Sequence, residues 1–110
     1  MYNERLLATA ILKQAKDDYI SMRRNWTKAN RYLYLIKKGK KVPKAVNETV
    51  CRNKITEYEA QRQYWIHDAH IWLEYLDIYF TSEDIMKYLK EWDNIARNHH
   101  FQKEGIWVYI

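Results

Sequence analysis

The sequence predicts an all-α fold: a long N-terminal helix and helical hairpin packed with one or two further helices, with an apolar C-terminal tail docked on the core. Three observations predict it. The 110 residues hold only 2 Gly and 1 Pro, too few breakers for the many turns of a strand-rich fold. Apolar residues recur at spacings of three and four over long stretches, the period of one helix face. Residues that start and stop helices stand at the ends of those stretches. A chain of this length is expected to form a single helical domain over residues 1–110, with one modest core.

The first helix is read over residues 4–38, with Leu7, Ile11, Ala15, Met22, Trp26, Ala29, Leu33 and Ile36 as its buried stripe. Asn3 is placed to cap its start, and Glu4 suits the positive end of the helix dipole. Lys37 and Lys38 suit the negative end, and Gly39 stops the helix as a residue free to adopt positive φ. Gly39 and Pro43 then frame a lysine-rich turn, Gly39-Lys40-Lys41-Val42-Pro43.

A second helix starts at Asn47 or in the Pro43 region and carries the stripe Cys51, Ile55, Tyr58, Trp65, Ala69, Trp72, Leu76 and Tyr79. Arg62 interrupts that register and Asp68 is placed to cap a fresh start after His67, so a break or kink is expected near 66–68. Phe80-Thr81-Ser82-Glu83-Asp84-Ile85 is a stronger start signal. In it Thr81 caps, Asp84 reaches back as the capping-box partner, and Phe80 staples onto Ile85. The last helix is read over 82–97, with Ile85, Leu89, Trp92 and Ala96 inward and Asn98-His99-His100 marking its end.

The tail from Phe101 to Ile110 is β-prone and very apolar. It either covers its own core or stays exposed as a docking strand or homodimer contact. The first is preferred, because an exposed apolar end is an aggregation liability.

Ten Tyr and five Trp supply apolar area to offset chain entropy, which excludes a disordered chain. The single Cys51 excludes an intramolecular disulfide and fits a reducing cytoplasm. No signal-peptide pattern and no apolar run near the ~20 residues of a membrane span occur, so a cytoplasmic protein with no membrane partner is expected.

The net charge of +5 hides a polarised molecule. Between Asp18 and Glu48 stand nine basic residues, Arg23, Arg24, Lys28, Arg31, Lys37, Lys38, Lys40, Lys41 and Lys44, and no acid. From Glu57 to Asp93 nine acids stand against Arg62, Lys87 and Lys90. Helix geometry, ~100° per residue, puts Lys13, Arg24, Lys28, Arg31 and Lys38 opposite the buried stripe, with Arg23 and Lys16 on the shoulder. Ile20, Tyr34 and Leu35 share that outer face. The candidate binding residues are therefore Arg23, Arg24, Lys28, Arg31, Tyr34, Leu35, Lys37, Lys38, Lys40 and Lys41. Arg and Lys would contact phosphates or carboxylates, and Tyr34 would stack or act as a hot spot. The alternative is a solvated charge run, with Tyr34 and Leu35 contacting the tail or another helix.

The opposing acids either pair with the basic face or, on a separate side, favour head-to-tail self-association. Asp18 falls close to the apolar stripe and is expected to be partly buried and paired with Arg62.

His67, His70 and Glu74 have the spacing of metal ligands on one continuous helix face. No second ligand cluster accompanies them and a break near Asp68 spoils the geometry, so no metal is expected. Cys51 has Arg52 and Lys54 nearby, yet a lone Cys near a helix start is more often a packing residue than a nucleophile. Serine elbows, phosphate-cradling glycine loops and paired-cysteine spacings do not occur. Neither an enzyme nor a cofactor is expected.

The order of features is that of a segment from Glu4 to Tyr19, a basic hairpin, a helix closing on Tyr64-Trp65, an Asp68-capped short helix, and Ile85-Met86-Lys87-Tyr88-Leu89-Lys90. In that order the chain resembles the small all-helical proteins of phages and integrated elements of Gram-positive bacteria, loosely over residues 4–90. The basic hairpin and the long aromatic tail depart from that pattern. The resemblance implies no catalytic residues. It implies a binding protein that regulates or inhibits a host macromolecular complex, for example a defence nuclease, with a host or phage protein or ribonucleoprotein as partner. The alternative is a DNA- or RNA-binding accessory protein using the same ridge. Ile20, Tyr34 and Leu35 favour the first reading, since phosphate neutralisation alone does not need them.

Overall fold

The computed structural model describes residues 4–98 and 105–108. Asn3, the pair His99-His100 and the tail residues 101–104 and 109–110 lie outside the described residues. Among those described, the structure is all-helical: α1 Glu4–Lys37, α2 Glu48–His67, α3 Ala69–Tyr75 and α4 Ser82–Asn98. None of these helices is long and apolar enough to cross a membrane.

At ~1.5 Å per residue the 34 residues of α1 run about 51 Å. The longest dimension of the molecule is 55 Å, so α1 spans it and the other elements lie along it. Its exit follows from Gly39, which takes φ 70. The Gly39 N–H donates to the Ile36 carbonyl at 3.0 Å and the Lys40 N–H to the Leu35 carbonyl at 2.9 Å. This paired closure satisfies carbonyls the helix end would otherwise strand.

Asn47 starts α2, its side chain accepting the Val50 N–H at 2.9 Å. The break falls at Asp68, where the sequence predicts it, but Asp68 makes no side-chain cap. Its φ of −117 and ψ of −24 keep it near helical geometry, and a capping side chain needs the extended backbone that Asn47 adopts. α3 ends in the same kind of closure as α1, with Asp77 at φ 60 in the place of a glycine. The Ile78 N–H donates to the Leu73 carbonyl at 2.8 Å and the Asp77 N–H to the Glu74 carbonyl at 2.9 Å. The predicted capping box opens α4: Thr81 Oγ1 accepts the Asp84 N–H at 3.1 Å, and the Asp84 carboxylate accepts the Thr81 N–H at 3.0 Å.

Two clusters of buried side chains follow α1. The larger joins α1 to α2, α3 and α4 around Tyr19, Tyr58, Trp65, Leu73, Leu89 and Trp92. There Trp65 meets Trp72 and Trp92 edge-on, with ring centres 5.7 and 5.9 Å apart, a favoured aromatic geometry. The smaller cluster, Ala29, Val46, Cys51 and Trp107, fills the end of the molecule where α1 turns into α2. The described tail residues dock on their own chain, with Trp107 and Val108 buried.

The inward residues of α4 are Ile85, Leu89, Trp92 and Ala96, as the sequence predicts. Two positions depart from the stripes. Ile20, expected on the outer face, is buried beside Tyr19, because α1 packs against both α2 and α4 and so buries more than one stripe. Tyr79, expected inside, is exposed, while Leu73 is buried. α3 stops at Tyr75 and the chain turns at Asp77, so Tyr79 no longer follows the helical period, while Ala69 and Leu73, four residues apart, face the core together.

Candidate nucleic-acid interface

The ten candidate residues separate into two groups. Arg23 leaves the ridge: its guanidinium lies 4.3 Å from the Trp26 ring centre and its Nε 3.6 Å from the Asp93 carboxylate. Lys28 donates to the Gly105 carbonyl at 2.9 Å and so holds the tail. Arg24 and Leu35 are half-buried. Arg31, Tyr34, Lys37, Lys38, Lys40 and Lys41 remain exposed, and Lys44 joins them. The continuous ridge predicted along α1 is thus a basic head, made of the last turns of α1 and the turn after Gly39.

Local chemistry builds this head. The closure at Gly39 throws Lys40 and Lys41 beyond the helix end, continuing the charge of Lys37 and Lys38. Beneath them Leu33, Ile36 and Val42 pack on the smaller cluster, whose centre is Ala29 and Cys51. Burial pushes the Cys51 thiol up, away from thiolate chemistry. Tyr34 is 60% exposed, with the Lys38 ammonium 5.7 Å from its ring centre. The first acid after the basic span, Glu48, is already held by Arg52 at 2.7 Å. Many cations around one exposed aromatic ring suit a phosphate chain carrying stackable bases.

A second polar constellation lies inside the molecule, and here the structure corrects the expected pair. Asp18 accepts from the Gln14 amide at 2.9 Å and does not meet Arg62. Arg62 Nη1 donates to the Asp93 carboxylate at 2.7 Å and to the Tyr19 hydroxyl at 2.6 Å. The Tyr19 and Tyr58 hydroxyls both donate to the other oxygen of Asp93, at 3.0 and 2.9 Å. Burial, then the neighbouring Tyr58 hydroxyl and the Asp93 charge, push the Tyr19 hydroxyl up; burial leads for Tyr58 as well. For Arg62 burial works against the charge, but Tyr19 and Asp93 outweigh it, so its pKa is raised.

One carboxylate from α4 therefore ties two arginines and two tyrosines from α1 and α2. Asp93 borders the inward stripe beside Trp92, and Arg62 interrupts the second stripe. Two opposite charges at stripe edges were the available signal, but only packing shows that they meet. These groups satisfy one another, so the constellation acts as a clamp.

His67, His70 and Glu74 do not share one helix. His67 ends α2, sharing a hydrogen bond with Gln63 at 3.0 Å, while His70 and Glu74 lie on α3 beyond the break. Among the described residues no three His, Cys, Asp or Glu side chains form a group that could hold a metal ion. Set against known proteins, the chain matches no family model, no curated protein and no solved structure, so the likeness to phage proteins rests on sequence pattern alone.

Proposed function

We propose that the protein binds nucleic acid through its basic head and acts by occupation, as an accessory or regulatory protein without catalysis. The observation that carries this is the exposure of Arg31, Lys37, Lys38, Lys40, Lys41 and Lys44 around exposed Tyr34, with no acid between Asp18 and Glu48. It reverses the preference drawn from the sequence. That preference drew on three outward apolar side chains beside the resemblance, but Ile20 is in the core and Leu35 is half-buried. What is left is one ring in a field of cations.

Fluorescence anisotropy with short single-stranded and duplex oligonucleotides at several salt concentrations tests it. Four to six phosphate contacts give a log–log salt slope of about −3 to −5. Tyr34→Ala costs about 1–3 kcal/mol on single strands and little on duplex. Absence of binding to every nucleic acid at low salt sinks the proposal.

A second reading keeps the mobile-element setting, with the head docking on a host protein or ribonucleoprotein to regulate or inhibit it. The exposure of Tyr34 beneath Lys38 favours it, since a Tyr flanked by cations suits a protein hot spot. It predicts partner capture that Tyr34→Ala abolishes and that salt weakens only slightly.

A further inference from the structure

Among the described residues, several large exposed side chains fall close together in the sequence. Within one short stretch Tyr64 is 39%, Ile71 61%, Tyr75 89% and Tyr79 76% exposed. Ile71 and Tyr75, four residues apart on α3, share a face. The closure at Asp77 brings the chain to Tyr79, whose hydroxyl the nearby Asp77 carboxylate pushes up. The same helix buries Ala69 and Leu73, which leaves Ile71 and Tyr75 on its outer face. Exposed apolar side chains that share a face, as Ile71 and Tyr75 do, are the kind of surface that marks an interaction site.

Its charge selects the partner. Residues 63–86 contain Asp68, Glu74, Asp77, Glu83 and Asp84 and no Lys or Arg. This stretch is the electrostatic counterpart of the acid-free stretch that forms the basic head. Lys87 lines a crevice with Tyr79, Asp84 and Glu91 at the edge of this stretch.

The two surfaces cannot meet within one molecule. Leu12 of α1 lines a crevice with Leu73 and Phe80, so the α3 end lies level with Leu12. Lys37 follows 25 residues further along the same helix, about 38 Å away. The screening length at physiological salt is about 8 Å, so the basic head and the α3 surface do not neutralise one another within one molecule.

From this we infer that the aromatic, acidic face around Ile71, Glu74 and Tyr75 docks the basic head of a second copy of this chain. The aromatic rings supply buried area, and the charges supply encounter rate and register. Because the two patches differ and sit far apart, the contact is heterologous and grows chains of molecules. This inference stands apart from the nucleic-acid reading, though both use the head.

Sedimentation velocity over rising protein concentration tests it, at about 0.01 M and about 1 M salt, where screening lengths are about 30 and 3 Å. Two variants isolate the faces: Lys40→Ser with Lys41→Ser in the head, and Glu74→Gln with Tyr75→Ala on α3. Ile71→Ser replaces the second if circular dichroism shows it misfolded. At low salt the wild-type mass should climb past that of a dimer, and at high salt return to the monomer. Each variant alone should stay monomeric, and their equimolar mixture should stop at twice the monomer mass, one intact head on one intact face. A wild type monomeric throughout, a variant that dimerises alone, a mixture that stays monomeric, or association indifferent to salt overturns the inference.

Discussion

Asn25 and Val108 exchange two hydrogen bonds: the Asn25 amide donates to the Val108 carbonyl at 2.9 Å, and the Val108 N–H donates to the Asn25 side-chain oxygen at 2.6 Å. The buried side chain thus serves as a one-residue partner for a chain segment with no strand beside it. It also seats Trp107 against Tyr32, with ring centres 5.6 Å apart, closing the core under the basic head. Asn25→Ala leaves both Val108 groups without their partner, at about 1–3 kcal/mol. Hydrogen exchange should show the Val108 amide losing protection well before the amides around Leu89.

Asp93 is the single acid in its clamp, so Asp93→Ala strands Arg62 and Arg23 together. Their side chains are 31% and 14% exposed, and solvent screens part of the loss. The expected cost is about 2–3 kcal/mol, below that of a fully buried pair. Urea unfolding should show it, and Arg62→Met combined with Asp93→Leu should recover part of it.

Tyr19 and Tyr58 make stability fall in alkali. The unfolded chain releases these protons near pH 10, while the folded chain, whose values are raised, retains them. Their contribution is present below pH 10 and is lost as pH rises through and beyond it, because the unfolded state then binds fewer protons. Tyrosinate absorbance should follow the release of the Tyr19 and Tyr58 protons. A last step should coincide with loss of helical circular dichroism.

Asp84 gives the opposite dependence. The Thr81 backbone N–H, then the Thr81 hydroxyl, hold its carboxyl below the usual 3.8. That stabilisation is present above pH 3.8 and is lost as pH falls through the lower folded value. The stability gap between wild type and Asp84→Asn, read by thermal unfolding, should be constant at neutral pH and close in acid. Thr81→Ala should cost about 1 kcal/mol at neutral pH.

Asp77 occupies a left-handed position that suits glycine. Asp77→Gly should stabilise the chain by up to about 1 kcal/mol. It also removes the carboxylate that raises Tyr79, so the Tyr79 hydroxyl should titrate lower. Together these readouts separate backbone relief from a change elsewhere.

Helix ends were legible because capping is local. Gly39, Asn47 and the Thr81–Asp84 pair act on amides and carbonyls within a few residues, so their meaning survives without a fold. The inward face of α4 was legible for a related reason: it packs by one stripe, and periodicity reports one stripe. α1 packs on two sides, which is why Ile20 could be misassigned outward and Arg23 counted as a surface cation.

The sequence by itself determined an all-helical chain, its breaks at Gly39, near Asp68 and before Ser82, and the segregation of basic from acidic residues. Tertiary structure alone decided which charges remain outside. Asp93 claims Arg23 and Arg62, and the tail claims Lys28. Each of these contacts joins residues at least 31 positions apart. A periodic pattern records the direction in which a side chain leaves its helix, but only packing brings a partner to meet it.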